Sequence, residues 1–246
     1  MKHFFIAVSL LLGMLSTPVY AAHPLITDDT GTQGKGKFQI EVNAEHANDN
    51  GNTETALGAT LSAGLLDNVD LVVGSPYIFL RERDENKHWN REDGIADLSL
   101  AVKWRFYEHE GLSFALKPEM TLATGDEDKG LGDGKPTYSL FFITTKELEP
   151  FSFHLNLRYV LNRSELRDIF HYSLAAEYAA AKSIKIVGNI GGETNPDKES
   201  GTHPLFVLGG LIYKLTDSFD IDFGVKAGLN KAEADYTLLA GIAFRY

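Results

Sequence analysis

An alternation of apolar and polar residues with period two recurs along this chain, over segments longer than the strands of ordinary soluble sheets. Leu98, Leu100, Val102, Trp104 and Phe106 share one face of residues 95–107, opposite Asp97, Ser99, Ala101, Lys103 and Arg105. Residues 150–161, 168–180 and 218–229 repeat the pattern, and weaker versions occupy 38–46, 54–64, 69–81, 112–124, 137–147, 183–193, 203–214 and 236–246. Successive strand residues point to opposite sides, so each segment presents one greasy and one wet or small face. The reading is all-β, with twelve strands. Pro76 interrupts the third and predicts a bulge there. No run of 18 apolar residues follows the amino-terminal stretch, so a helical membrane protein is excluded.

The connections separate into two kinds. Short ones follow the even-numbered segments, at 66–68, 108–110, 148–149, 181–182 and 216–217. Longer polar ones follow the odd-numbered segments, at 47–53, 82–94, 125–136, 162–167, 194–202 and 230–235. That layout predicts a single antiparallel transmembrane β-barrel, with short periplasmic turns and longer extracellular loops, in a Gram-negative outer membrane. Strands of about 11 residues suit a tilted crossing of the bilayer. Large aromatics gather near strand ends: Phe106, Tyr107, Phe151, Tyr178, Tyr213, Phe219 and Phe244 toward the short turns, and Phe79, Tyr138, Tyr159 and Phe170 toward the loops. Two such girdles match the two headgroup layers. Every backbone amide in hydrocarbon needs a partner, which forces closure. A soluble periplasmic binding barrel shares the alternation and would need no detergent for extraction.

Composition narrows the rest. The chain has 246 residues, no Cys and a formal charge of -11. Absence of Cys removes thiolate sites and disulfides, and the acidic balance supplies no basic face for nucleic acid. Met1-Lys2-His3, the apolar run from Phe4 to Leu15 and the small residues before Ala22 have the form of a secretory signal. The expected organisation is a signal over 1–21, an amino-terminal periplasmic segment over 22–37 and a barrel over 38–246.

Two stretches carry resemblances. The last residues, 238–246, alternate apolar groups and end on Tyr246, which resembles the carboxy-terminal signal that outer-membrane barrels present to their assembly machinery. The stretch 22–36 contains His23, Pro24, Thr27, Asp28, Asp29, Thr30 and Gly31, and leads directly into the first strand. It is similar to the opening of a transporter-like outer-membrane family named after the MetA pathway of phenol degradation. The resemblance implies a barrel that passes small aromatic or apolar compounds. Physically, 27–31 is acidic and turn-forming. Two placements are open: a small plug in the barrel mouth, with Asp28 and Asp29 pairing lumen cations, or a solvated periplasmic tail. Neither needs catalysis or a cofactor.

Turning the wet faces inward makes Glu41, Glu45, Asp97, Glu119, Glu177, Asp220 and Asp222 lumen candidates, with Lys103, Arg105, Lys117, Arg158, Lys185, Lys226 and Arg245. Buried charges need partners or water. Opposed rows would make a hydrated path with a transverse field, whereas local pairs would close the lumen as a structural or adhesion barrel. Small residues at Gly58, Ala101, Ala115, Ala175, Gly210, Gly224 and Gly228 are expected to leave room for a solute. His171 and Ser173 share a strand face and raise a hydrolase reading, but they point inward, away from lipid. The acidic stretch 125–130 lacks the ligand spacing of a calcium loop and suits either solvation or cation bridging to lipopolysaccharide. Expected partners are outer-membrane lipid, lipopolysaccharide, the assembly machinery and a small solute. No metal-ligand spacing is present among the histidines.

Overall fold

The computed structural model describes residues 23–83, 88–161 and 167–246; the signal-like residues 1–21 and Ala22 lie outside the described residues. The first half of the chain forms β1 (Phe38–Asp49), β2 (Asn52–Leu66), β3 (Val69–Arg83), β4 (Trp89–Ile95), β5 (Leu98–His109) and β6 (Leu112–Leu122). A short 3₁₀ turn, Glu127–Lys129, precedes β7 (Thr137–Leu148), β8 (Phe151–Leu161), β9 (Ile169–Ala181) and β10 (Ile184–Glu193). Then come β11 (Leu205–Lys214), β12 (Phe219–Gly228) and β13 (Tyr236–Arg245). All pairings are antiparallel. β1 pairs with β2, β2 with β3 and β3 with β5; each later strand pairs with the next, and β13 returns to β1. The wall is a closed ring of twelve strands, as the alternation predicts.

The seam between first and last strands is held by ladder pairs from Gln39↔Arg245 to Asn48↔Tyr236. At its end the amides and carbonyls of Phe38 and Tyr246 bond reciprocally, at 3.0 and 2.9 Å, and their rings stack at 5.4 Å. The greasy faces look outward. Leu211 and Phe223 are each 52% exposed on the outer surface, whereas inward-facing His154 and Ala115 are fully buried. The aromatics expected at the strand ends, among them Phe106, Phe151, Tyr178, Tyr213, Phe79, Tyr138, Tyr159 and Phe170, stand outward. No helix of the described residues is long and apolar enough to cross a membrane.

Three details differ from the expectation. A thirteenth strand, β4, lies in the stretch read as loop 82–94 and pairs with the far end of β3, from Tyr77↔Ile95 to Arg83↔Trp89. Pro76 makes no bulge: it stays in register with Gly58. It sits where β3 changes partner from β5 to β4, so its missing amide breaks no ladder, and its carbonyl accepts from the Ala96 amide at 2.9 Å. The expected loop 47–53 closes as a two-residue turn. Asn50 (φ 51°) and Gly51 (φ 89°) both adopt the left-handed conformation, as the tightest hairpins require.

Candidate functional site: the lumen and its amino-terminal segment

The inner wall is covered by the chain's own start. His23 sits on β12, its Nδ1 2.5 Å from Asp222 Oδ1. Pro24 packs where β11 and β12 carry Gly210 and Gly224; a Cβ at either glycine would come within 2.7 Å of the proline ring. Leu25 rests on an apolar patch of the inner wall made by Val187, Ile212, Phe206, Leu208 and Leu239. The amides of Ile26 and Thr27 both donate to Asn189 Oδ1 on β10, at 2.9 and 3.1 Å. Asn156 on β8 bonds Asp28 twice, accepting from its amide at 2.8 Å and donating to its carbonyl at 2.7 Å.

The path continues around the ring. The Thr30 amide donates to Thr145 Oγ1 at 3.1 Å, and its hydroxyl meets Ser113 Oγ at 2.5 Å. The Gln33 amide donates to the Asp70 carboxylate at 2.9 and 3.1 Å. Gly34 (φ 82°) and Gly36 (φ 80°) then turn the chain into β1, with Gly36 N bonded to Gly64 O at 2.9 Å. Residues 23–36 thus pass in sequence from β12 through β11, β10, β8, β7, β6 and β3 to β2, a near-complete hoop against the inside of the barrel. Hydrogen bonds to wall side chains from the amides of Ile26, Thr27, Asp28, Thr30 and Gln33 stand in for the sheet partners its backbone lacks.

Two lysines pin the hoop. Lys103 Nζ lies 2.9 Å from Asp28 and 3.2 Å from Asp29, and Lys117 Nζ lies 2.7 Å from Asp28. Asp28 and Asp29 belong to the segment rather than to a spanning strand. Burial acts to raise the Asp28 carboxyl, but the two ammonium groups outweigh it and hold it well below the ordinary carboxylate range. Asp29 is pushed up by burial, which its share of Lys103 only partly offsets and the charge of Asp28 reinforces.

The remaining lumen candidates pair along the wall, not across it. Glu119 meets Arg158 at 2.9 Å, Glu177 meets Lys185 at 2.7 Å, Asp220 meets Arg245 at 2.5 Å and Lys226 meets Glu233 at 2.8 Å. Arg105 lies near the short turns, 3.2 Å from Glu108. Glu41 takes a short bond from Gln39, and Glu45 is 3.9 Å from His23 Nε2. Opposed rows do not form, because partners one or two strands apart are within side-chain reach and those across the lumen are not. Asp97 is placed apart: at the break between β4 and β5 it accepts from the amides of Thr124, Gly125 and Asp133, tying down the 123–136 connection. Gly210 and Gly224, read as room for a solute, are room for Pro24.

His171 Nδ1 lies 3.4 Å from Glu193 Oε2, and the buried Ser173 hydroxyl has no hydrogen-bond partner among the described residues. The two make no hydrogen bond with each other. In the 125–130 stretch, Asp126 caps the 3₁₀ turn by accepting from the Asp128 amide at 3.2 Å. Within the described residues no group of three or more His, Cys, Asp or Glu is placed to hold a metal.

Sequence reasoning missed Asn156, Asn189, Thr145, Ser113 and Asp70, which grip the hoop, and Phe141, which faces inward beneath two cations. Lys117 Nζ lies 4.2 Å and the Arg158 guanidinium 4.6 Å from its ring centroid. The signal was present, since Asn156 and Asn189 occupy inward positions of their strands, but alternation alone does not tell a gripping amide from a solvated one. The space left beside the hoop is a cavity of about 330 Å³, lined by segment residues including Thr27 and Asp28 and by wall residues including Thr60, Lys117, Phe141, Arg158 and His171.

A closed antiparallel barrel with a greasy outer belt and a polar, partly filled lumen is the fold of an outer-membrane channel. The chain belongs to the family described as "Putative MetA-pathway of phenol degradation", whose model matches residues 21–246. Among curated proteins no sequence matches it. Among solved structures it is similar to an outer membrane channel from Pseudomonas putida F1, with a TM-score of 0.70 and 14% identity over 89% of this chain and 98% of that one. It is also similar to the NanC porin, with a TM-score of 0.62 and 10% identity over 84% of this chain and 100% of that one. The CymD monoaromatic hydrocarbon channel matches with a TM-score of 0.51 and 9% identity, over 87% of this chain and 89% of that one. At these identities the likeness is one of fold.

Proposed function

We propose that this protein is a passive outer-membrane channel for small solutes, in which the hoop of residues 23–33 sets the constriction. The observation that carries the reading is the cavity of about 330 Å³ lined jointly by hoop and wall. That volume lies at the lower end of sites for single small molecules, roughly 300–1,000 Å³, and Phe141 with the two cations over its ring forms part of its lining. Family membership and the fold shared with a monoaromatic hydrocarbon channel support small aromatic or apolar compounds as the solutes. In this reading residues 1–21 direct export, the short turns and the hoop face the periplasm, and the strand ending in Tyr246 engages the assembly machinery. Lipopolysaccharide surrounds the long-loop rim.

Purified protein in a planar bilayer should give small, discrete conductance steps, and liposomes carrying it should swell faster in small neutral solutes than in disaccharides. A sealed bilayer with no solute-dependent swelling overturns the channel reading. That outcome favours the structural barrel, for which the observation is the local pairing of lumen charges. A hydrolytic role for His171 and Ser173 predicts esterase activity that Ser173→Ala abolishes; an unchanged rate rejects it.

A further inference from the structure

The hairpin of β3 and β4 carries a second chemical feature, on its outer face. In its ladder Arg81 stands directly opposite Arg91, and Arg83 opposite Trp89. Residues directly opposite in an antiparallel pair share a face, with Cβ atoms about 5 Å apart, and like charges there repel. Among the described strands no other pair sets two arginines opposite each other. Neither Arg81 nor Arg91 is ion-paired within the described residues. Among the described residues the one carboxylate on this face, Asp93, accepts the Tyr77 hydroxyl at 2.5 Å.

Two of the cations on this face gather over one ring. The Arg81 guanidinium lies 4.0 Å and that of Arg83 5.2 Å from the Trp89 ring centroid. Stacking on an aromatic face leaves the N–H edges of the Arg81 guanidinium able to donate outward. Directly below on the same outward face, Tyr77 and Phe79 pack at 5.0 Å, where aromatic rings mark the edge of the hydrocarbon belt. Two residues of strand advance about 7 Å, which lifts Arg81 and Arg91 to headgroup level. Repelling cations held there call for an anion supplied by the membrane.

We infer that Arg81 and Arg91 clamp a phosphate of a phosphorylated glycolipid in the outer leaflet, the lipid A part of lipopolysaccharide. The clamp rests on the proposed orientation, long loops outward, and gives the lipopolysaccharide partner its contact residues. Planar guanidinium groups bind phosphate oxygens two at a time, and such charge-assisted bonds are the strong ones.

The test is binding of detergent-purified full-length protein to bisphosphorylated lipid A, to dephosphorylated lipid A and to inorganic phosphate, read by native mass spectrometry and titration. Wild type should prefer bisphosphorylated lipid A over the dephosphorylated form, and R81Q/R91Q should weaken that binding about tenfold or more. Lys146→Gln, at the opposite rim, should leave it unchanged. Equal affinity for dephosphorylated lipid A overturns the inference, as does unweakened binding by R81Q/R91Q. Inorganic phosphate that competes at equal concentration overturns the lipid assignment. Should R81Q/R91Q fail to fold, R81K/R91K keeps the charge without the paired donors and should show a smaller loss. Conductance of each variant is measured in parallel: lipid binding lost with conductance kept supports the clamp, and a wild type that never conducts rejects the channel reading while leaving the clamp to the binding result.

Discussion

Asp28 sits between Lys103 and Lys117, at 2.9 and 2.7 Å, with Asp29 sharing the first ammonium at 3.2 Å. Removing one partner of a buried pair costs more than the pair contributes, about 3–5 kcal/mol, because the other charge is left without compensation. Lys103→Met should therefore release the hoop without unfolding the wall, seen as larger conductance steps with unchanged heat-modified mobility on gels. The pH response follows from the two carboxyls. Asp28 is depressed, so its contribution to docking is complete above the ordinary carboxylate range and is lost only as pH falls through its lowered value. Asp29 is raised, so burying it becomes easier as pH falls. Both signs predict that lowering the pH from 7 to 5 leaves the hoop docked and the conductance step unchanged; a step increase at pH 5 contradicts this assignment.

Strands and turns here are shaped by what must pass beside them. β11 reads Leu205-Phe206-Val207-Leu208, apolar on both faces, because one face meets lipid and the other meets Leu25. Gly210 and Gly224 complete the seat by removing the Cβ atoms that would strike Pro24. Gly224→Val should unseat the start of the hoop while the β11–β12 ladder persists, since the added carbons meet the Pro24 ring before any strand backbone and valine favours a strand. The expected readout is faster proteolysis of the amino terminus in folded protein and an intermediate rise in conductance. In β3, Pro76 occupies the position where one partner strand ends and the next begins, a place where a strand within the ring tolerates a missing donor.

The whole molecule is a closed wall with a filler supplied by its own chain. A twelve-stranded ring is wider than the eight-stranded kind that side chains fill, so the hoop occupies space the wall cannot. Deleting residues 23–33 should leave a folded barrel, since every wall strand keeps its ladder partners, and should raise conductance more than any single substitution. If the deletion leaves conductance unchanged, the constriction lies elsewhere.

Strand number, the outward greasy face and closure were legible in the residues because they are local rules: side chains alternate every second residue, and hydrocarbon leaves no amide unpaired. The Asn50-Gly51 turn is equally local, but its polar neighbours Asn48, Asp49, Asn52 and Thr53 have the composition of a longer loop, and only the pairing Asp49↔Asn52 shows how tightly it closes. The route of residues 23–36 was not legible. Asp28, Lys103, Lys117, Asn156 and Asn189 are far apart in sequence, and each is compatible with a solvated lumen. Only the curvature and register of the closed barrel bring Lys103, Lys117 and Asn156 around Asp28 and set Asn189 against Thr27, and that proximity docks a tail against the wall. Likewise Arg81 and Arg91 become a pair only when β4 folds back on β3, because register, not composition, decides which like charges must share a neighbour.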